Sequence, residues 1–299
     1  MIRIVTESMS DFTQEEAKAA DLIVMPLPIR FGMEEYWDDG VSLTQDDFYA
    51  RLRVAKELPK TSQVPVEHYR KCFNRLLENP EDEVLVITGS SKLSGCYQSA
   101  CIAREACHDP ARVTVLDSLN ATCAEYMLVD QALRYRREGV SDMQTMLAKL
   151  RDVMAHYKII GMAADLKYLV MGGRLSPLVG KLGNRLSIKP TLKIEDGIVS
   201  KAGMVHGMAK GRAWYIEQLK ECPPDPEVPV YIGDLAKQEA KTAAGAAGAA
   251  IGGMIVLGPI GALGGAFVTG KAVVIPVGST TYVQTMEDTT IQGMVYQGK

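Results

Sequence analysis

Val84-Leu85-Val86-Ile87-Thr88-Gly89-Ser90-Ser91-Lys92-Leu93-Ser94-Gly95 is the stretch that decides the fold. A run of mostly β-branched residues enters a loop of glycine, serine and lysine, and a helical pattern follows from about Cys96 to Cys107. Strand, hydroxyl-rich loop and helix in that order form part of a βαβ unit, the sequence form of a mainly parallel sheet. Working outward, further strands are expected at Ile2 to Val5, Leu22 to Leu27 and Val113 to Leu116. Between them, Thr13-Gln14-Glu15-Glu16 has the form of a capping box, and Thr44-Gln45-Asp46-Asp47 is a weaker version. Helices are expected at Thr122 to Glu138 and Ser141 to His156.

The texture then changes. Ile159 to Ala163 opens a second region with Gly172-Gly173, a helical stretch near Pro177 to Leu186, and a hairpin from Ile188 to Ile194 and Ile198 to Val205. Its turn is Glu195-Asp196-Gly197, where glycine accepts the positive φ that tight hairpin turns demand. The expected organisation is therefore an α/β protein of two lobes: a parallel-sheet N-terminal lobe over residues 1–157, a second α/β lobe over 158–241, and a Gly/Ala-rich tail over 242–299.

Composition narrows the function classes. With 299 residues, 47% apolar, there is enough material for one large or two modest cores. A net charge of −3 offers no basic face on which phosphates would release counterions, so nucleic acid is not an expected partner. The six cysteines contain no C-x-x-C pair and read as buried thiols of a reducing compartment. The four histidines are scattered, and neither a metal site nor a cofactor is expected. The N-terminal segment moves straight into an alternating apolar stretch without a signal-peptide core, so a cytoplasmic location is expected.

The chemistry lies in the loops after the strands. In open parallel sheets ligands bind at the carboxyl ends of the strands, where helix amides also point. Those ends carry Thr6-Glu7-Ser8, Thr88 to Gly95, and Asp117-Ser118, dense in hydroxyls and poor in acids and bases. Such hydroxyls beside helix amides suit a carboxylate held by neutral donors, and do not suit proton transfer. Taken singly, each is better read as a helix cap or turn former; their recurrence at successive strand ends favours a site. There is no G-x-S-x-G elbow and no Walker loop, so no catalytic residue is assigned.

Two strings, Pro59-Lys60-Thr61-Ser62-Gln63 and Ser90 to Ala100, resemble the signature stretches of the DegV family. Gly172-Gly173-Arg174-Leu175-Ser176 and Ile188-Lys189-Pro190-Thr191-Leu192 follow in the family's order, so the resemblance covers about the first three quarters of the chain. It implies a two-lobed lipid-binding protein that encloses a long-chain fatty acid in an apolar tunnel. By the same resemblance Thr61, Ser62, Ser94 and Gly95 hold the carboxylate, with Arg174 near the same end. The chain itself is then not an enzyme. The implied partner is a separate fatty-acid kinase, which converts the presented acyl group to acyl phosphate.

The sequence departs from the family pattern in places. Glu7 stands where an aspartate is usual, and His206 where an arginine usually precedes the glycine. No histidine follows His206, so the histidine contact usual near the family's C-terminus is not available. Residues 242–270 lack any charge and repeat glycines at spacings that let helices approach closely, like a glycine zipper interrupted at Pro259. Three readings of this tail stay open: a membrane-interacting hairpin with transient membrane contact, a self-association element, and a replacement for the family's usual ending. Val273 to Gly278 reads as a short strand and turn. Two other functions are carried beside lipid binding: a phosphotransferase-like enzyme using the same hydroxyl cluster, and a membrane-interacting module that works through the tail.

Overall fold

The computed structural model describes residues 1–55, 57–163, 170–176, 188–221, 230–234, 271–275, 282–285 and 289–292. The helix expected near Pro177 to Leu186 and the Gly/Ala-rich run of 242–270 lie outside them, as does Cys222.

The chain opens with β1 (Ile2–Glu7), α1 (Gln14–Ala19) and β2 (Leu22–Met25). Next come β3 (Pro28–Phe31), β4 (Glu34–Trp37), α2 (Gln45–Val54), β5 (Lys60–Thr61) and α3 (Val66–Leu76). The stretch quoted first forms β6 (Glu83–Thr88), and α4 (Cys96–Glu105) follows its loop. The first region closes with β7 (Val113–Asp117), α5 (Cys123–Arg137) and α6 (Met143–His156). The second contains β8 (Ile159–Met162), β9 (Ile188–Glu195), β10 (Ile198–His206) and α7 (Gly207–Glu221). Two antiparallel pairs complete the description: β11 (Val230–Asp234) with β12 (Lys271–Ile275), and β13 (Tyr282–Thr285) with β14 (Thr289–Gln292).

β2, β1, β6 and β7 lie side by side in that order, all parallel. Successive side chains of a strand face opposite ways, and the two faces of this sheet bury different partners. Val84 and Val86 pack with Tyr69, Phe73 and Ala100 toward α3 and α4. Leu85 and Ile87 pack with Leu128, Ala132 and Leu150 toward α5 and α6. The first of these clusters continues into Leu192, Ile194 and Val199, so the antiparallel β10-β9-β8 sheet shares a core with the parallel one.

Local signals act as expected at several points. Thr13 Oγ1 accepts from Glu16 N at 3.2 Å while Glu16 Oε2 accepts from Thr13 N at 2.9 Å, closing the capping box. Asp196 and Gly197 adopt φ of 50° and 76°, the paired positive values of a two-residue hairpin turn of the primed kind. The strand expected from Leu22 to Leu27 is shorter and stops at Met25. Pro26 has no amide to give the ladder, and the chain turns away to build β3. Of the five described cysteines, all free thiols, Cys101 is only half-buried. None of the described helices is long and apolar enough to cross a membrane.

Candidate functional site

The sheet order reverses between β1 and β6, which leaves a crevice at their carboxyl ends. Three segments converge there. Thr61 pairs with Ile29 across β5 and β3, and Ser62 N donates to Pro28 O at 3.2 Å, so the small β4-β3-β5 sheet carries both hydroxyls to the rim. The loop after β6 is folded on itself: Leu93 N and Ser94 N both donate to Ser90 O, at 2.9 and 3.0 Å. Asp117 steadies it, its Oδ1 accepting from Ser91 N at 3.2 Å and from Leu119 N at 2.9 Å.

Gly95 is the N-cap of α4 and has no side chain with which to cap it, so the helix presents its positive end at this point. A Cβ on Gly95 would sit 3.2 Å from Gln63 Cδ. The absence of one lets the Thr61-Ser62-Gln63 segment close against the start of α4. The third segment is the turn bearing Arg174. Its guanidinium is half-buried and donates from Nη1 to Gly172 O at 2.6 Å. Burial lowers its pKa, which still leaves a guanidinium cationic at neutral pH.

These segments enclose an open cleft of about 340 Å³. Thr61, Ser62, Ser94, Gly95 and Arg174, the five residues singled out from sequence, all line it, together with Gln63, Ser91, Lys92 and the apolar Leu27 and Leu93. Among the described lining residues Lys92 and Arg174 are the ionisable ones, and both are cations. A second cavity of about 370 Å³ shares Arg174 with the first and has Val170, Leu175, Ile198 and Val199 in its walls. Sequence reasoning assigned no role to Gln63, Ser91 or Lys92, although each lies inside the strings that drew attention to the site. No group of histidine, cysteine, aspartate or glutamate suited to a metal ion occurs among the described residues.

Beneath the loop lies a feature that the sequence did not disclose. Glu7 is fully buried; its Oε1 accepts from Gly89 N at 2.9 Å and its Oε2 from the Tyr69 hydroxyl at 3.1 Å. Glu125, on α5, is also fully buried and accepts from Thr6 Oγ1 at 3.0 Å, while its Oε2 has no hydrogen-bond partner. Desolvation pushes Glu7 up to about 7, against the lowering effect of its hydrogen bonds. Burial, and then the charge of Glu7, hold Glu125 well above the usual carboxylate range. Burial also raises the neighbouring Cys96 thiol, leaving it an inert, protonated group.

A family model described as uncharacterised protein, DegV family, matches residues 1–276. A DegV domain-containing protein of Caldanaerobacter subterraneus subsp. tengcongensis is 36% identical over 219 residues, 73% of this chain and 76% of that protein. A fatty acid-binding protein of Thermotoga maritima is 34% identical over 248 residues, 80% of this chain and 83% of that protein. Among solved structures, that of a stearic acid-binding protein from Eubacterium ventriosum superposes with a TM-score of 0.71 at 27% identity, over 81% of this chain and 85% of that one.

Proposed function

The chain belongs to the DegV family, and from that premise we propose that it binds one long-chain fatty acid, with the carboxylate in the hydroxyl-lined cleft and the tail between the first lobe (1–157) and the second (158–241). The observation that carries the reading is the pairing of two unlike spaces at Arg174. On one side stands a cleft with hydroxyls, a helix N-terminus and two cations; on the other stands a cavity whose walls set Val170, Leu175, Ile198 and Val199 beside Ser176, Ser200 and Lys201. A carboxylate with an alkyl tail matches both. Thr61, Ser62 and Ser94 donate hydroxyls to the head group, Gly95 lets it approach the amides of α4, and Arg174 supplies charge. Each methylene moved from water into an apolar wall contributes about 0.8 kcal/mol, so the tail supplies affinity while the cleft sets orientation.

In this reading the protein is a cytoplasmic carrier and no enzyme: it presents the acyl carboxylate to a fatty-acid kinase, and the partner supplies the chemistry. The cleft's breadth and open mouth support presentation, since Ser62, Gln63, Ser91 and Lys92 are exposed there. The phosphotransferase alternative loses support because, of the two acids at the strand ends, Glu7 is fully buried and Asp117 is engaged by the amides of Ser91 and Leu119.

The test is a titration with stearate, read by displacement of a fluorescent fatty acid. Replacing Thr61 and Ser94 together by alanine is expected to weaken binding by roughly 100-fold or more, the loss of two hydrogen bonds to a charged group. Circular dichroism should not change, because Thr61 and Ser94 are only half-buried. Unaltered affinity in the double variant would remove the carboxylate from this cleft.

A further inference from the structure

The tip of the β9–β10 hairpin belongs to the second sheet, yet it is docked on the first lobe. Gly197 is buried there, while Asp196 and Ile198 on either side are exposed. Its carbonyl accepts from Ser90 Oγ at 2.8 Å, and this bond is buried. The fit admits little else. A Cβ on Gly197 would lie 2.4 Å from Ser90 Oγ and 3.2 Å from Leu119 Cδ2, at a φ of +76° that favours glycine.

Ser90 is also the residue from which the cleft loop hangs. Its amide donates to Asn120 O at 2.6 Å, and its carbonyl holds Leu93 N and Ser94 N. Its hydroxyl oxygen accepts from Lys92 N at 3.2 Å while the hydroxyl proton is given to Gly197. A serine hydroxyl has one proton, so its direction is fixed by Gly197, and that direction leaves a lone pair for Lys92. The two bonds are therefore set together.

We propose that Ser90 is a positioning residue that couples the seating of the hairpin turn to the geometry of the head-group loop. With the turn seated, Lys92 and Ser94 are held facing the cleft; with the turn lifted, the hydroxyl is released and the loop loses one of its ties. Coupling of this kind is reciprocal: a fatty acid held by the loop on one side and Arg174 on the other tightens the seating of the turn. The inference deepens the fatty-acid reading and rests on it.

The experiment uses the full chain and stearate as probe. Stearate release is followed by stopped-flow exchange against a fluorescent fatty acid, and amide hydrogen exchange is followed at residues 195–198 with and without stearate. Ser90→Ala is expected to speed release about tenfold, the size of one buried hydrogen bond lost with its acceptor left behind, and to abolish the protection that stearate gives the turn. Gly197→Ala, which keeps the carbonyl but places a methyl against Ser90 Oγ and Leu119 Cδ2 and so unseats the turn, is expected to act likewise. The double variant should be no faster than the more affected single variant, because each change, by deletion or by displacement, ends in the loss of the same Ser90–Gly197 bond. Release within twofold of wild type in both single variants, or stearate protection of the turn that persists in Ser90→Ala, would overturn the proposal. If the wild-type chain takes up no stearate, the fatty-acid reading fails separately. The tie is then judged on the ligand-free proteins, where Ser90→Ala must accelerate exchange at 195–198 for it to stand.

Discussion

At pH 8 the Glu7→Gln variant is expected to be more stable than the wild type by about 3 kcal/mol, and at pH 4 the two are expected to be nearly equal. The argument starts from burial. Glu7 is wholly enclosed, and its pKa rises from 4.5 to about 7. A folded-state pKa above the unfolded one means that the folded protein binds more protons between these values, so stability is full below about pH 4.5 and is lost as pH rises through about 7. The raised interval of about 2.5 pH units corresponds to roughly 3 kcal/mol at 1.36 kcal/mol per unit. Glutamine carries no such penalty. Its amide oxygen can still accept from Gly89 N, and its amide nitrogen can donate to the Tyr69 oxygen, so the two contacts survive with one polarity reversed. The groups that face the pair, Tyr69, Cys96, Asp117 and Asp11, include no cation to rescue a second negative charge. Urea unfolding from pH 4 to pH 8 checks the prediction: the buried Glu125 and Asp38, whose pKa values are also raised, make both curves fall, and the wild type should fall further than the variant by about 3 kcal/mol. Parallel curves would mean that Glu7 ionises as freely when folded as when unfolded.

The second large effect is expected at Gly89, which the acids bracket. A Cβ there would lie 1.7 Å from Met9 Cε and 2.9 Å from Glu125 Oε2, and both Met9 and Glu125 are fully buried. A methyl group cannot enter without displacing side chains that have no solvent to move into, and overpacking at such a site costs about 3 kcal/mol. Gly89→Ala should therefore lower the urea midpoint steeply. The mechanism is tested by removing the obstacle. Met9→Ala alone is expected to cost about 3 kcal/mol through the cavity it leaves. The Gly89→Ala, Met9→Ala double variant should cost at least about 1 kcal/mol less than the sum, since the new methyl enters the vacated space. Strict additivity would show that the cost of the alanine arises at the Glu125 carboxylate and not at Met9.

The parallel sheet was legible in the sequence because its strands are buried on both faces. Val84 to Ile87 is an unbroken apolar run, and its two faces find separate cores. Part of the cleft was legible because Thr88 to Gly95 is dense in hydroxyls at a strand end, whereas Thr61, Ser62 and Arg174 were reached only through the resemblance to the DegV family. What escaped was structure made from few residues or from distant ones. β5 contains only Lys60 and Thr61, too short for any alternation to show, yet its pairing with Ile29 and Arg30 places Thr61. Glu125 was masked by its own neighbourhood. Thr122-Cys123-Ala124-Glu125 has the form of a capping box, which would put the glutamate at an exposed helix start. Instead Thr122 makes no side-chain cap bond, its φ is +57°, and Glu125 turns inward to Thr6, 119 residues away. A partner that far along the chain leaves no mark in local spacing.

Native mass spectrometry of the full chain purified from bacteria, followed by denaturation and lipid extraction, addresses the fatty-acid site most directly. The expected result is a folded species heavier than the bare polypeptide by one long-chain fatty acid, an increment that vanishes on denaturation and that the Thr61→Ala, Ser94→Ala variant carries at lower occupancy. A folded chain at its bare mass that also fails to take up added stearate would contradict the account.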